Sequence, residues 1–134
     1  MDEIVLEYAY TVGGYITFSV RVIAGEFSGA SGFCIAERWL KDAISNLSEM
    51  ISNLRGEYQM DDYDSDDFMC FKMKKSGHMT VTGQIGGSYN ATFMKYEYCA
   101  DQTVLAEIIA SFTRMISLQV SPEEYFARKQ STEC

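Results

Sequence analysis

The sequence predicts an α+β fold: one antiparallel sheet of five or six strands with two main helices packed on one face. The expected order is ββ-α-βββ-α, with a short C-terminal helix after it. Two observations lead there. Runs of alternating apolar and polar residues lie on both sides of a long stripe with helical spacing, and short glycine-bearing turns separate neighbouring runs. A chain with those ingredients buries one face of each strand and one stripe of each helix against a shared core.

The elements follow in chain order. Residues 4–12 and 15–23 are strand-like runs flanking Gly13-Gly14, a pair that readily takes the positive φ angles of a tight hairpin. In the second run Ile16, Phe18, Val20 and Val22 alternate with Tyr15, Thr17, Ser19 and Arg21, which means one buried face. The stretch AGEFSGASGF reads as a loop. It leads into IAERWLKDAISNLSEMISNLRG, where Leu40, Ala43, Ile44, Leu47, Ile51 and Leu54 recur at helical spacing and Gly56 stands as the expected C-terminal cap.

Three further runs, Asp67–Lys74, His78–Ile85 and Ala91–Cys99, are separated by Ser76-Gly77 and Gly86-Gly87-Ser88. Loops this short predict an antiparallel meander, with Met69, Phe71, Met73, Met79, Val81 and Ile85 on one face. Asp101 is placed to cap a helix over 102–118 with Leu105, Ile108, Phe112, Met115 and Ile116 inside. Ser121-Pro122-Glu123-Glu124 then has the form of a last, short helix start.

Length and composition bound the function. The chain has 134 residues, 47% hydrophobic and 13% aromatic, with a net charge of -8. That is too apolar for a disordered chain, and residues 1–134 are expected to form a single domain. The acidic balance excludes nucleic acid as the expected ligand, because phosphate binding relies on clustered Lys and Arg. It suits a basic protein or a cation instead. Met1-Asp2-Glu3 is acidic where an export signal would be basic, and no apolar run approaches a membrane span of about 20 residues. Cys34, Cys70, Cys99 and Cys134 form no CxxC pair and are expected as reduced thiols, with Cys70 and Cys99 as strand fillers. A cytoplasmic location is expected.

The densest charge lies in YQMDDYDSDDFM: Glu57, Asp61, Asp62, Asp64, Asp66 and Asp67 are six acids within residues 56–67, with no base among them. Asp62, Asp64 and Asp66 alternate like the first ligands of a calcium loop, but Asp67 and Met73 stand where that loop needs Gly and a bidentate Glu. Like charges this close repel unless a partner or counterions offset them, and Tyr58, Tyr63 and Phe68 add aromatic surface of the kind that anchors interfaces. The expected partner-binding residues are therefore Glu57, Asp61, Asp62, Tyr63, Asp64, Asp66 and Asp67. The alternatives are a cation- or small-ligand-binding domain using the Asp61–Asp67 cluster, and a solvated loop. No enzyme, cofactor or metal is expected: the only histidine, His78, begins a strand, and GQIGGS lacks the Lys-Ser/Thr ending of a phosphate loop.

The assembled motifs carry a resemblance. Phe27-Ser28-Gly29 follows an N-terminal hairpin, and Leu54-Arg55-Gly56 ends an amphipathic helix. Gly77-His78-Met79-Thr80-Val81 starts a strand, and an aromatic-rich strand runs into Asp101-Gln102-Thr103-Val104-Leu105. Over about residues 10–118 this resembles the WapI-like group of bacterial immunity proteins, partners of polymorphic and contact-dependent growth-inhibition toxins. The resemblance implies a small non-catalytic inhibitor that binds the C-terminal domain of a cognate toxin in the cytoplasm. Such toxins are often nucleases with basic surfaces, which an acidic inhibitor would cover.

Overall fold

A computed structural model describes residues 2–132, so Cys134 lies outside the described residues. Its elements run β1 (Glu3–Val12), β2 (Tyr15–Ala24), β3 (Phe27–Ala36), α1 (Glu37–Asn53), β4 (Gly56–Asp61), β5 (Phe68–Met73), β6 (His78–Ile85), β7 (Met94–Asp101), α2 (Gln102–Ser117) and α3 (Pro122–Thr132). The class is α+β, as the alternating runs and helical stripes require. The single sheet of five or six strands is corrected: the described residues form two antiparallel sheets, β1-β2-β3 and β4-β5-β6-β7.

Two strands account for the difference. β3 occupies the stretch read as a loop, and Ser28-Gly29-Ala30-Ser31-Gly32 gives it almost no apolar alternation of its own. Its partner supplies the register, from Tyr15↔Ala36 to Ala24↔Phe27. Phe33 and Ile35 then face inward beside Phe18 and Ile16. Gly29 lies where the two sheets approach, since a Cβ there would sit 3.1 Å from Ile85 Cδ1. β4 is the acidic strand, and of its side chains only Met60 is fully buried. The cap of α1 also differs. Leu54, not Gly56, takes the left-handed position (φ 51°, ψ 41°), and Gly56 opens β4 at φ 114°.

Most expected faces hold. Gly13 and Gly14, at φ 56° and 83°, make the β1–β2 turn. Ile16, Phe18, Val20 and Val22 are buried, as are Met69, Phe71, Met73, Met79, Val81 and Ile85. The buried stripes of the helices are Leu40, Ala43, Leu47 and Met50 on α1 and Leu105, Ile108, Phe112 and Met115 on α2. The two helices pack on each other, and these side chains join both sheets in one core. Phe112 reaches sheet β1-β2-β3 through Phe18, ring to ring at 5.9 Å, and Phe18 stacks on Phe33 at 5.3 Å. Asp101 caps α2 by accepting from the main-chain N–H groups of Thr103 and Val104.

Beyond α2 the chain folds back on the outside of β1. Thr11 N–H donates to Val120 O at 2.8 Å, and Tyr125 and Phe126 of α3 pack on the ring of Tyr10. Among the described residues no single helix is long and apolar enough to cross a membrane. Cys34, Cys70 and Cys99 carry no disulfide; Cys70 is buried as a filler, whereas Cys99 is exposed on the outer face of the four-stranded sheet, against expectation.

Candidate protein-binding groove

The acidic stretch is the β4–β5 hairpin, closed where Asp62 N–H donates to Asp67 O at 2.9 Å. Its aspartates divide into two groups. Asp62 accepts from Cys34 N–H at 2.7 Å and from Ser65 Oγ at 2.7 Å, and Tyr63 N–H donates to Cys34 O, so the loop is fastened to the free edge of β3. Asp67 is buried at 3% exposure and accepts from the N–H groups of Gly86 and Gly87 at 3.0 and 2.8 Å, with Gln84 Nε2 at 3.1 Å. Asp66 accepts from Gln84 Nε2, Ser88 N–H and Ser88 Oγ.

Gly86-Gly87-Ser88 is thus a turn whose converging N–H groups bind carboxylates. Gly86 and Gly87, at φ 97° and 72°, take backbone angles that aim them there. The Ser88 hydroxyl, then the Ser88 N–H, hold the Asp66 carboxyl below its ordinary range.

The remaining predicted residues face outward. Asp61 is exposed and steadied by Gln59 Nε2 at 2.9 Å. Asp64 is exposed at the loop tip. Tyr63 is 67% exposed, with its ring 4.7 Å from that of Tyr15. Glu57 lies apart on the outer face of the four-stranded sheet, opposite Lys72 in register and 3.5 Å from Cys70 Sγ. Asp61, Asp62 and Tyr63 are therefore brought together, while Asp66 and Asp67 are turned to the 86–88 turn and Glu57 lies outside the groove, four residues along the outer face of β4 from Asp61.

What gathers around Asp61 and Tyr63 is a groove of about 570 Å³ between the start of α1 and the edge of β4. The end of β3 forms its floor with Ile35 and Ala36, and Tyr15 and Tyr63 close one end. The first turns of α1 supply Arg38, Trp39 and Asp42, and β4 supplies Tyr58 to Asp61. Trp39 is 54% exposed, and the Arg38 guanidinium carbon lies 5.6 Å from its ring centre. Tyr58 donates its hydroxyl to Asp42 Oδ2 at 3.0 Å.

Partial burial, and then the Asp42 hydrogen bond, push the Tyr58 phenol up to about 12. Burial also pushes the Tyr98 phenol up to about 12 and raises that of Tyr96 further. Ordinary tyrosines titrate near ~10. These three favour the native state fully below that value, and their contribution is lost as pH rises through about 12. The expected result is a spectroscopic titration with a late set of phenols, one member of which disappears in Tyr58→Phe. Simultaneous titration of every tyrosine before unfolding would contradict it.

Thiol and imidazole groups sit outside this arrangement. Burial raises the Cys34 thiol, with Asp64 and Asp62 adding to the effect against the lowering hydrogen bond of Thr17. Burial and Glu57 raise that of Cys70. His78 is exposed at the start of β6, opposite Asp101. Among the described residues no group of three or more His, Cys, Asp or Glu is arranged to hold a metal ion. In the hairpin the oxygens of Asp62 are taken by Cys34 N–H and Ser65 Oγ, and those of Asp66 and Asp67 by donors of Gln84 and the 86–88 turn.

Sequence reasoning about charge did not reach Tyr15, Arg38, Trp39 or Asp42. A signal for one of them was present. Trp39, the chain's only tryptophan, falls off the Leu40–Ala43–Leu47 stripe, and a large aromatic on the wet side of a helix marks a contact surface. Scanned against known protein families, the chain matches no family model, and no curated protein matches it significantly.

Proposed function

We propose that this protein is an immunity-type inhibitor that neutralises a cognate toxin domain by binding it, with the groove beside α1 and β4 at the centre of the contact. The observation that carries the reading is the groove itself: aromatic walls from Trp39, Tyr15, Tyr58 and Tyr63, with the exposed Asp61 in its lining and the exposed Asp64 next in sequence to Tyr63. Exposed aromatics supply anchoring area, and exposed carboxylates steer and orient a basic partner. A net charge of -8 adds long-range attraction for a basic domain, such as the nucleic-acid-binding surface of a nuclease. The reading places the action in the cytoplasm and requires no chemistry from the protein, only coverage of its partner.

The test is co-expression with the C-terminal domain of a candidate effector, sought in the reading frame immediately upstream, scored by growth and by pull-down. Wild type is expected to rescue. Tyr63→Ala combined with Asp61→Asn and Asp64→Asn is expected to fold and to lose on the order of 100-fold in affinity, about 3 kcal/mol, the scale of one hot-spot contact. Asp62, Asp66 and Asp67 are left intact because they fasten the hairpin. Failure of wild type to rescue or bind sinks the reading; full rescue by the triple variant moves the interface away from the groove.

A further inference from the structure

We infer that the groove receives an extended, arginine-bearing segment of the partner, laid along β4 as an added strand with its cationic side chains between Trp39 and Tyr63. The inference rests on the protein-binding reading above and names what it binds. Three independent features lead to it.

The first is the edge. β4 pairs with β5 alone, and among the described residues 56–61 make no main-chain hydrogen bond outside that pairing. Consecutive residues Tyr58 to Asp61 all line the groove, although their side chains alternate between faces. The groove therefore runs along the strand's open side, where an extended chain finds unmatched N–H and C=O groups. The opposing edge of β3 is partly closed, because Cys34 already bonds Asp62 and Tyr63.

The second is the aromatic lining. Arg38 lies over Trp39 at 5.6 Å, so this ring already holds a guanidinium of the chain itself. Tyr63, 67% exposed, presents a further ring at the other end. A cation over such faces gains from the ring quadrupole.

The third is charge. Asp42 and Asp61 flank these rings, and Arg38 is the only base among the lining residues. An arginine entering the groove meets carboxylates suited to its planar fork. A second copy of this chain is disfavoured by the same acids: edge pairing centred on Gln59 sets Glu57 of one copy against Asp61 of the other.

Trp39 is the chain's only tryptophan and lines the groove, so its fluorescence reports occupancy directly. The probe is a short blocked peptide in which Arg alternates with Val, with a Glu-Val counterpart and an Arg-Val counterpart N-methylated at every residue, which lacks main-chain donors. The Arg-Val peptide is expected to shift Trp39 emission saturably, and about tenfold more weakly for Asp61→Asn or Tyr63→Ala. The Glu-Val peptide should not bind, and the N-methylated peptide should bind at least about tenfold more weakly.

No shift overturns the proposal, and so does equal binding by wild type and both variants, which would be attraction to overall acidity. Equal binding of the N-methylated peptide overturns the added strand, and a dimer whose dissociation parallels peptide binding gives the edge to a second copy. Rescue of the toxin without peptide binding sinks the groove but leaves the inhibitor reading. Peptide binding without rescue does the reverse.

Discussion

Asp67→Ala is expected to be among the most damaging single substitutions in the chain. Asp67 is only 3% exposed, and three N–H donors converge on its carboxylate. Removing it strands the main-chain N–H groups of Gly86 and Gly87, while the Gln84 amide keeps Asp66 as its acceptor. Each unsatisfied buried donor costs about 1–3 kcal/mol, which makes a total of about 3–5 kcal/mol reasonable after partial relaxation and water entry. In a domain this size that is a fall in Tm of roughly 10–20 °C. Asp67→Asn should fall between wild type and Ala, since one oxygen remains to accept while the amide nitrogen faces donors. Thermal melts of the three proteins settle the order. A loss of less than about 3 °C for Asp67→Ala would mean that the carboxylate is a solvated charge and not a fastener.

Gly83→Ala should cost about half as much, for the opposite reason, too much matter in place of too little. Gly83 sits in β6 opposite Tyr96 on one side and Met69 on the other. A Cβ there would come within 3 Å of the Tyr96 ring and hydroxyl and at 2.5 Å from the Phe68 carbonyl oxygen. The tyrosine can turn only by disturbing the core, and a backbone carbonyl cannot yield without shifting β5. Overpacking of this kind costs about 1–3 kcal/mol, occasionally more. A Tm lowered by roughly 5–10 °C is expected, with partial recovery in Gly83→Ala/Tyr96→Leu. No recovery in the double variant would place the strain at the carbonyl alone, and an undiminished Tm would refute the close packing.

The two substitutions illustrate what could and could not be read from the chain. The inner face of β2 and the stripes of α1 and α2 were legible because they repeat locally, and so was the Asp101 cap because capping is settled within three residues. β3 was not, since its Gly, Ala and Ser residues become a strand only against β2. Nor was the division of labour in the acidic stretch. Asp67 finds its donors twenty residues later at Gly87, and Asp62 finds Cys34 twenty-eight residues earlier. Charge density therefore identified the neighbourhood of the candidate site while overstating how many of its acids face outward. The groove's other wall, Arg38, Trp39 and Asp42, arrives from a helix whose pattern spoke only of its buried side.

The hairpin between β4 and β5 consequently separates two tasks along one short piece of chain. Asp62, Asp66 and Asp67 are committed to holding the loop in place, whereas Asp61, Tyr63 and Asp64 hold nothing that the core depends on. Variation at the second set is thermodynamically cheap, and variation at the first is not. Under the proposed protein-binding reading, such an arrangement lets recognition drift from one partner to another while the scaffold stays constant. Random substitution across residues 61–67 should therefore return a sawtooth of tolerated and forbidden positions, not a uniformly permissive loop.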